Sequence, residues 1–251
     1  MSNKSKKIVI VGATSAIAEQ CARLWVKDSV VDMTLVGRDA GRLARVAADL
    51  LVRSPKSSIE INVISLADAM AITQLANEVA AAGVIDTVLI AHGSLPDQSV
   101  CQQDLAACDD ALAVNGISPV LFAEAFAGHM QKANHGTLAI IGSVAGDRGR
   151  KSNYVYGSAK GLVTRYAQGL QHRLAATNVK VVLIKPGPTD TPMTAHLKQQ
   201  GGKLASVEDV AQAIVKGIDQ GSAVVYAPAK WALIMMVIRH LPRFVFNRMD
   251  I

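Results

Sequence analysis

The sequence predicts a single α/β domain, a doubly wound parallel sheet of about seven strands with helices on both faces, because short β-branched runs alternate with longer Ala-rich stretches of helical character. The chain has 251 residues, half of them hydrophobic, enough for one continuous core, and no Pro/Gly/Ser-rich linker divides it, so the domain is expected to span 1–251. The first strand is expected over Lys7–Val11, an apolar run stopped by Gly12, and the first helix over Ser15–Lys27. Strands over Asp32–Val36, Ile59–Ile64 and Thr87–Ala91 then alternate with helices over Ala40–Val52 and Asp68–Ala82. Leu105–Lys132 reads as one long helix, and the apolar run Thr137–Ser143, entered through Gly136, reads as a buried strand. Helix Asn153–Ala176, strand Val179–Lys185, helix Val207–Lys216 and strand Ala223–Tyr226 complete the pattern.

The totals exclude several classes of function. The net charge is +6, but the Lys and Arg residues are scattered, aromatics are scarce and no nucleic-acid-binding module is recognisable, so no nucleic-acid partner is expected. The three cysteines, Cys21, Cys101 and Cys108, are odd in number and lack metal-ligand spacing. They read as reduced, partly buried thiols, which implies no metal and a cytoplasmic setting. Met1–Lys7 is polar and basic, and the apolar stretch Ile8–Val11 that follows is too short for a signal peptide or a membrane span.

Two motifs carry chemistry. Gly12-Ala13-Thr14-Ser15-Ala16-Ile17-Ala18 lies between a strand and a helix and must turn sharply. Backbone N–H groups at such a helix start, helped by its dipole, form a cradle for a pyrophosphate. Tyr156-Gly157-Ser158-Ala159-Lys160 sets a phenol and an ammonium four residues apart, on one face of a helix. The cation is expected to lower the phenol pKa and make Tyr156 a general acid/base. Ser143, thirteen residues before Tyr156, sits at the carboxyl end of its strand, where ligands bind in open α/β sheets.

With these residues the chain resembles the short-chain dehydrogenase/reductase family over nearly its whole length. Val11–Ala18 corresponds to the family's Thr-Gly-x-x-x-Gly-x-Gly, keeping Gly12 and carrying alanine at 16 and 18; Ile90–Gly93 corresponds to Asn-Asn-Ala-Gly and keeps Gly93. Pro186-Gly187-Pro188-Thr189-Asp190-Thr191 is similar to the Pro-Gly-x-x-x-Thr segment that contacts the nicotinamide carboxamide. The resemblance implies a Rossmann-type fold and a catalytic set of Ser143, Tyr156, Lys160 and Asn115, the last through a main-chain carbonyl that holds a water on the Lys160 ammonium. It implies cofactor contacts from Gly12, Thr14, Ser15, Ala16 and Ile17 at the phosphate turn, from Arg38 and Ser65 at the adenosine, and from Leu66, Ala91 and Gly93. Tyr156, Lys160, Pro186, Gly187, Thr189 and Thr191 then hold the nicotinamide end. His92 is read as a structurally satisfied histidine in preference to one that lines the cofactor pocket.

The second strand ends Gly37-Arg38-Asp39, so no carboxylate follows it directly, while the Arg38 guanidinium suits a 2′-phosphate and favours NADP(H) over NAD(H). Asp39, just before Ala40, suits a helix N-cap. The expected activity is reduction of a small-molecule carbonyl, or the reverse oxidation of an alcohol, by hydride transfer. The rival is a dinucleotide-sensing regulatory protein on the same fold, against which retention of Ser143, Tyr156 and Lys160 argues. Residues about 190–205 are expected to cover the substrate as a lid, and the family implies a homodimer or homotetramer. The segment 229–251 contains the apolar run Trp231–Ile238 with basic flanks. Burial in the core or at a subunit interface is preferred for it, with peripheral membrane contact as the alternative. This tail also resembles that of reductases in the family that act on lipid-linked keto-sugars.

Overall fold

The computed structural model describes residues 5–195, 199 and 201–249. Seven strands, β1 (Lys6–Val11), β2 (Val31–Gly37), β3 (Ser58–Val63), β4 (Thr87–Ile90), β5 (Thr137–Ile141), β6 (Lys180–Pro186) and β7 (Val224–Ala227), form one parallel sheet in the order β3-β2-β1-β4-β5-β6-β7. The chain winds outward from β1 to β3, then returns to place β4 on the other side of β1. That reversal opens a crevice at the carboxyl ends of β1 and β4, the place where open α/β sheets bind ligands.

Period-two patterning fixes which residues face which layer. Ile8 and Ile10 of β1, Met33 and Leu35 of β2 and Val182 and Ile184 of β6 enter one core, beneath α1 (Ala16–Asp28), α2 (Ala40–Arg53) and the late helix α8 (Val207–Asp219). Val9 and Val11, Leu138 and Ile140 of β5 and Val181 and Leu183 enter the other, beneath α3 (Ala69–Ala81), α6 (Ser118–Ala133) and α7 (Tyr154–Arg173). A strand buried on both faces reads as continuously apolar, as β1 and β6 do.

Several expected boundaries move. β5 ends at Ile141, and Ser143 instead caps a 3₁₀ turn, Val144–Asp147, its hydroxyl accepting from the Ala145 N–H at 3.1 Å. The expected long helix 105–132 is α5 (Leu105–Leu112), a π-helical turn over Ala113–Ile117, and α6. Pro119 explains the interruption, since it has no N–H for the bond four residues back, to the main-chain carbonyl of Asn115. A short helix, α4 (Gln98–Gln103), precedes α5 and has no counterpart in the sequence reading. Leu105–Ala133 is long and apolar enough to cross a membrane, but half of its apolar window is buried inside this domain.

After β7 come α9 (Lys230–His240) and α10 (Arg243–Phe246). α9 packs only one side on the domain: Met235 is fully buried, whereas Leu233, Met236 and Val237 are more than half exposed. Burial of the whole 229–251 segment in the core of this chain is therefore not observed, and residues 250–251 lie outside the described residues. Of the expected lid, residues 196–198 and 200 also lie outside them. Its described ends are pinned together, Asp190 N–H to Ala205 C=O at 2.8 Å and Ala205 N–H to Pro188 C=O at 2.9 Å.

Candidate active site

The crevice is built from strand ends. Ser15, Ile17, Ala91, His92, Gly93, Asn115, Ser143, Tyr156, Lys160, Pro186, Gly187, Thr189 and Thr191 line one cleft, so most of the expected site is brought together. Its floor begins at Gly12, whose φ of +77° favours glycine and whose Cβ, if present, would meet the backbone of His92 at 2.5 Å. Ser15, the N-cap of α1, makes no side-chain cap bond, so first-turn N–H groups of α1 stay open at the cleft. Ala18 is fully buried in the core, where its methyl packs away from the phosphate cradle.

Arg38 is exposed just past β2, and Asp39 does cap α2, its carboxylate accepting from the Arg42 N–H at 2.9 Å. Arg42, which sequence reasoning passed over, donates to the Thr14 carbonyl at 3.1 Å and brings a second guanidinium to the phosphate turn. The signal for it was an arginine in the first turn of the helix that follows Arg38. Ser65 is exposed, and its hydroxyl accepts from the Ala67 N–H at 3.4 Å. Leu66 offers its main-chain carbonyl to the Ser118 hydroxyl.

His92 is held by its surroundings: Nε2 lies 2.8 Å from Ser118 Oγ, and the ring meets Phe122 edge-on at 5.6 Å. Because the Ser118 hydroxyl donates to Leu66, its oxygen receives the His92 Nε2–H, which fixes the tautomer. Burial, with the Lys160 and Arg38 charges, pushes the His92 pKa down to about 3, so the ring is neutral at ordinary pH.

The catalytic candidates converge around Lys160. Lys160 is buried and donates to the Ile141 carbonyl at 3.0 Å, and burial pulls its pKa down to about 8. Burial raises the Tyr156 phenol above its ordinary 10, opposed only by a hydrogen bond with the Ser143 hydroxyl. The expected depression of the Tyr156 pKa by Lys160 is thus not what the structure shows. The ammonium is 5.8 Å from the Tyr156 ring centre, bonded to Ile141 and itself weakened by burial. The Ser143 hydroxyl lies near enough to the Tyr156 phenol to pull its pKa down, a pairing the resemblance alone did not specify.

Asn115 sits in the π-helical turn with no exposed surface. Its side chain accepts from Ser94 N–H at 2.9 Å and donates to the Ala111 carbonyl at 2.9 Å, clamping the loop after β4. A Cβ on Gly93 would lie 2.9 Å from Asn115 Oδ1 and 3.6 Å from Lys160 Nζ, so these three residues meet at one point. Thr189 donates to the Gly187 carbonyl at 2.9 Å, and Thr191 pairs with Thr194 in a capping box. Both stiffen the exit from β6.

A buried network behind Ser143 escaped the sequence reading. The Asp147 carboxylate pairs with Lys185 and accepts from the Tyr226 hydroxyl at 2.9 Å, which ties the loop after Ser143 to β6 and β7. Burial and the bond to Asp147 push the Tyr226 phenol up to about 12. The signal was Lys185 at the end of a buried apolar strand, where a charge requires a partner.

The sequence profile described as short chain dehydrogenase matches residues 6–202. The chain belongs to the short-chain dehydrogenase/reductase family. Similar relatives include an uncharacterized oxidoreductase of Mycobacterium tuberculosis, 33% identical over 96% of both chains. Another is an uncharacterized oxidoreductase of Streptomyces coelicolor, 30% identical over 99% of this chain and 97% of that one. Among solved structures, a short-chain dehydrogenase from Burkholderia cenocepacia in complex with NADP superposes with a TM-score of 0.82 at 18% identity, covering 99% and 98% of the two chains. A short-chain dehydrogenase from Sphingobium yanoikuyae in complex with NADPH gives 0.83 at 21% identity, covering 98% and 96%. This short-chain dehydrogenase is therefore an oxidoreductase whose family binds NAD(P) and acts on CH–OH and C=O groups. The donor set fits such a dinucleotide: open N–H groups at the start of α1 for phosphates, the Arg38 and Arg42 guanidiniums past β2 for an anionic ribose, and the Lys160 ammonium deep in the cleft.

Proposed function

We propose that this short-chain dehydrogenase reduces a carbonyl to an alcohol with NADP(H), or runs the reverse reaction, using Ser143, Tyr156 and Lys160. The observation that carries the reading is the meeting of these three side chains in the cleft at the ends of β4, β5 and β6. NADPH, when bound, supplies the hydride that the carbonyl carbon accepts. Tyr156 gives its proton to the carbonyl oxygen, and Ser143, beside the Tyr156 phenol, donates to the same oxygen as its charge grows. Lys160 holds the ribose hydroxyls, and the main-chain carbonyl of Asn115 holds the water that returns a proton through Lys160. Ala91, Gly93, Pro186, Gly187, Thr189 and Thr191 shape the remaining wall, and the pinned ends of segment 190–205 bring Met193 and Thr194 against the substrate.

Tyr156→Phe is expected to lower kcat by about 10²–10⁴-fold in a folded protein, read by NADPH absorbance on a panel of sugar, steroid-like and acyl ketones. Near-normal turnover in that variant would exclude the mechanism. Activity of the wild type on any member of the panel separates the enzyme from a dinucleotide sensor.

The NADP(H) preference rests on the exposed Arg38 just past β2, on Arg42 at the Thr14 turn, on Asp39 being engaged as a cap, and on the NADP-bound neighbours. Arg38→Ala is expected to reduce the ratio of kcat/KM for NADPH over NADH by about 10-fold or more, since a charge-assisted bond is worth about 1.5–3 kcal/mol. An unchanged ratio would remove the assignment. By the habit of the family we also infer a homodimer or homotetramer, to be read by light scattering.

A further inference from the structure

The carboxyl-terminal helices carry an apolar surface that the domain leaves uncovered. Leu233, Met236 and Val237, three and four residues apart, form one stripe along α9 and are 65%, 53% and 53% exposed. Phe244, 67% exposed, and Val245 of α10 add to the apolar surface of this segment. Lys230, Arg243 and Arg248 are exposed in the same segment, while Arg239 acts on Tyr226. From Gln220 through Met249 the chain holds no Asp or Glu.

We propose that this face of α9 and α10 rests on an anionic bilayer surface, the apolar stripe entering the headgroup boundary while the cations meet lipid phosphates. Length requires that the segment lie on the bilayer: eleven residues of α9 extend about 16 Å, half the hydrocarbon thickness. Charge favours lipid over a second copy of the chain. A two-fold interface sets a patch against itself, so the cations at 230, 243 and 248 would face their own copies with Asp250 as the one acidic side chain in 229–251 to offset them.

The surface is also fixed to the domain. Arg148 donates to the Ile238 carbonyl and to the Leu241 carbonyl at 2.8 Å, two groups freed at the end of α9, and its guanidinium lies 3.8 Å from the Phe246 ring centre. Arg148 belongs to the loop that follows Ser143. Trp231, the second residue of α9, packs so tightly on Gly187 that a Cβ there would fall 1.9 Å from its ring nitrogen. The proposed contact surface therefore adjoins the cleft through two direct links.

The test uses the full chain and vesicle sedimentation, a readout independent of turnover. Wild-type protein is expected to pellet with vesicles containing phosphatidylglycerol, less so at high salt, and weakly with phosphatidylcholine alone. R243E/R248E and L233E/V237E, each shown to be folded by circular dichroism, are expected to weaken that binding at least about 10-fold, since each cation near such a surface contributes about 1 kcal/mol. Wild-type protein that stays in solution with the anionic vesicles overturns the proposal, as does either double variant binding like wild type. If L233E/V237E instead splits an oligomer by light scattering while no form binds vesicles, the face belongs to a second copy and the proposal fails.

Discussion

Lys160 concentrates the chemistry of the site in one buried group. Its ordinary pKa of 10.5 falls to about 8 because burial disfavours the ammonium. The unfolded chain keeps that proton up to about pH 10.5 and the folded protein releases it near 8, so between these values the unfolded state binds more protons. By linkage, the stability contributed by this group is present above 10.5 and lost as pH falls through 8. The ammonium proposed to hold a cofactor ribose loses its charge as pH rises through about 8. Unliganded wild type is therefore expected to gain thermal stability from pH 8 to 10 relative to Lys160→Met, while its NADPH affinity falls. Parallel melting curves of the two proteins, with fluorescence titration of NADPH, check both signs. At this scale Tyr156, Lys160 and Ser143 were legible, because four-residue helical spacing and a strand end place them without further information. The direction of the Tyr156 shift was not, since desolvation depends on neighbours distant in sequence.

Elements show where local pattern stops being enough. The Ala-rich stretch 105–132 has helical character throughout, yet Pro119 and the close packing of Gly116 on Ala159 of α7 divide it with a π-helical turn. That turn carries Asn115, whose main-chain carbonyl Pro119 leaves without its helical donor. Pro119→Ala supplies an N–H and is expected to restore the helical bond. The fold should be retained or stabilised, while kcat falls about 10-fold if the carbonyl serves the proposed proton relay, a hydrogen bond being worth about 1 kcal/mol. Steady-state kinetics alongside thermal melting separate the two effects, and unchanged kcat would remove Asn115 from the mechanism. The proline was visible in the sequence and should have broken the expected helix. α4 had no such mark: Gln98–Gln103 is short and mostly polar, started by the Asp97 carboxylate accepting from Ser99 N–H at 2.7 Å.

The whole molecule depends on two apolar layers clamping one sheet, and the site hangs from one of them. Phe122 is fully buried in the layer beneath α6 and meets the His92 ring, which in turn reaches Ser118 and Leu66 at the crevice. Phe122→Ala is expected to lose about 3–5 kcal/mol in chemical denaturation, from transfer and cavity together. It should also weaken NADPH binding, because His92 loses its support. A loss below about 1 kcal/mol would mean that the layer is less tightly packed than described.

Strand and helix alternation, the glycine turn and the Ser143, Tyr156 and Lys160 spacing determined the fold class, the family and which side chains would meet in one cleft, because each is a short-range pattern with a fixed geometric consequence. The Asp147–Lys185–Tyr226 network, the Arg148 clasp on α9, the second guanidinium at Thr14 and the uncovered stripe of Leu233, Met236 and Val237 were decided only in three dimensions. Each depends on partners 28 to 93 residues apart, or on which side of a helix the rest of the chain covers. Burial and long-range pairing are properties of the assembled molecule, and no local run of residues encodes them.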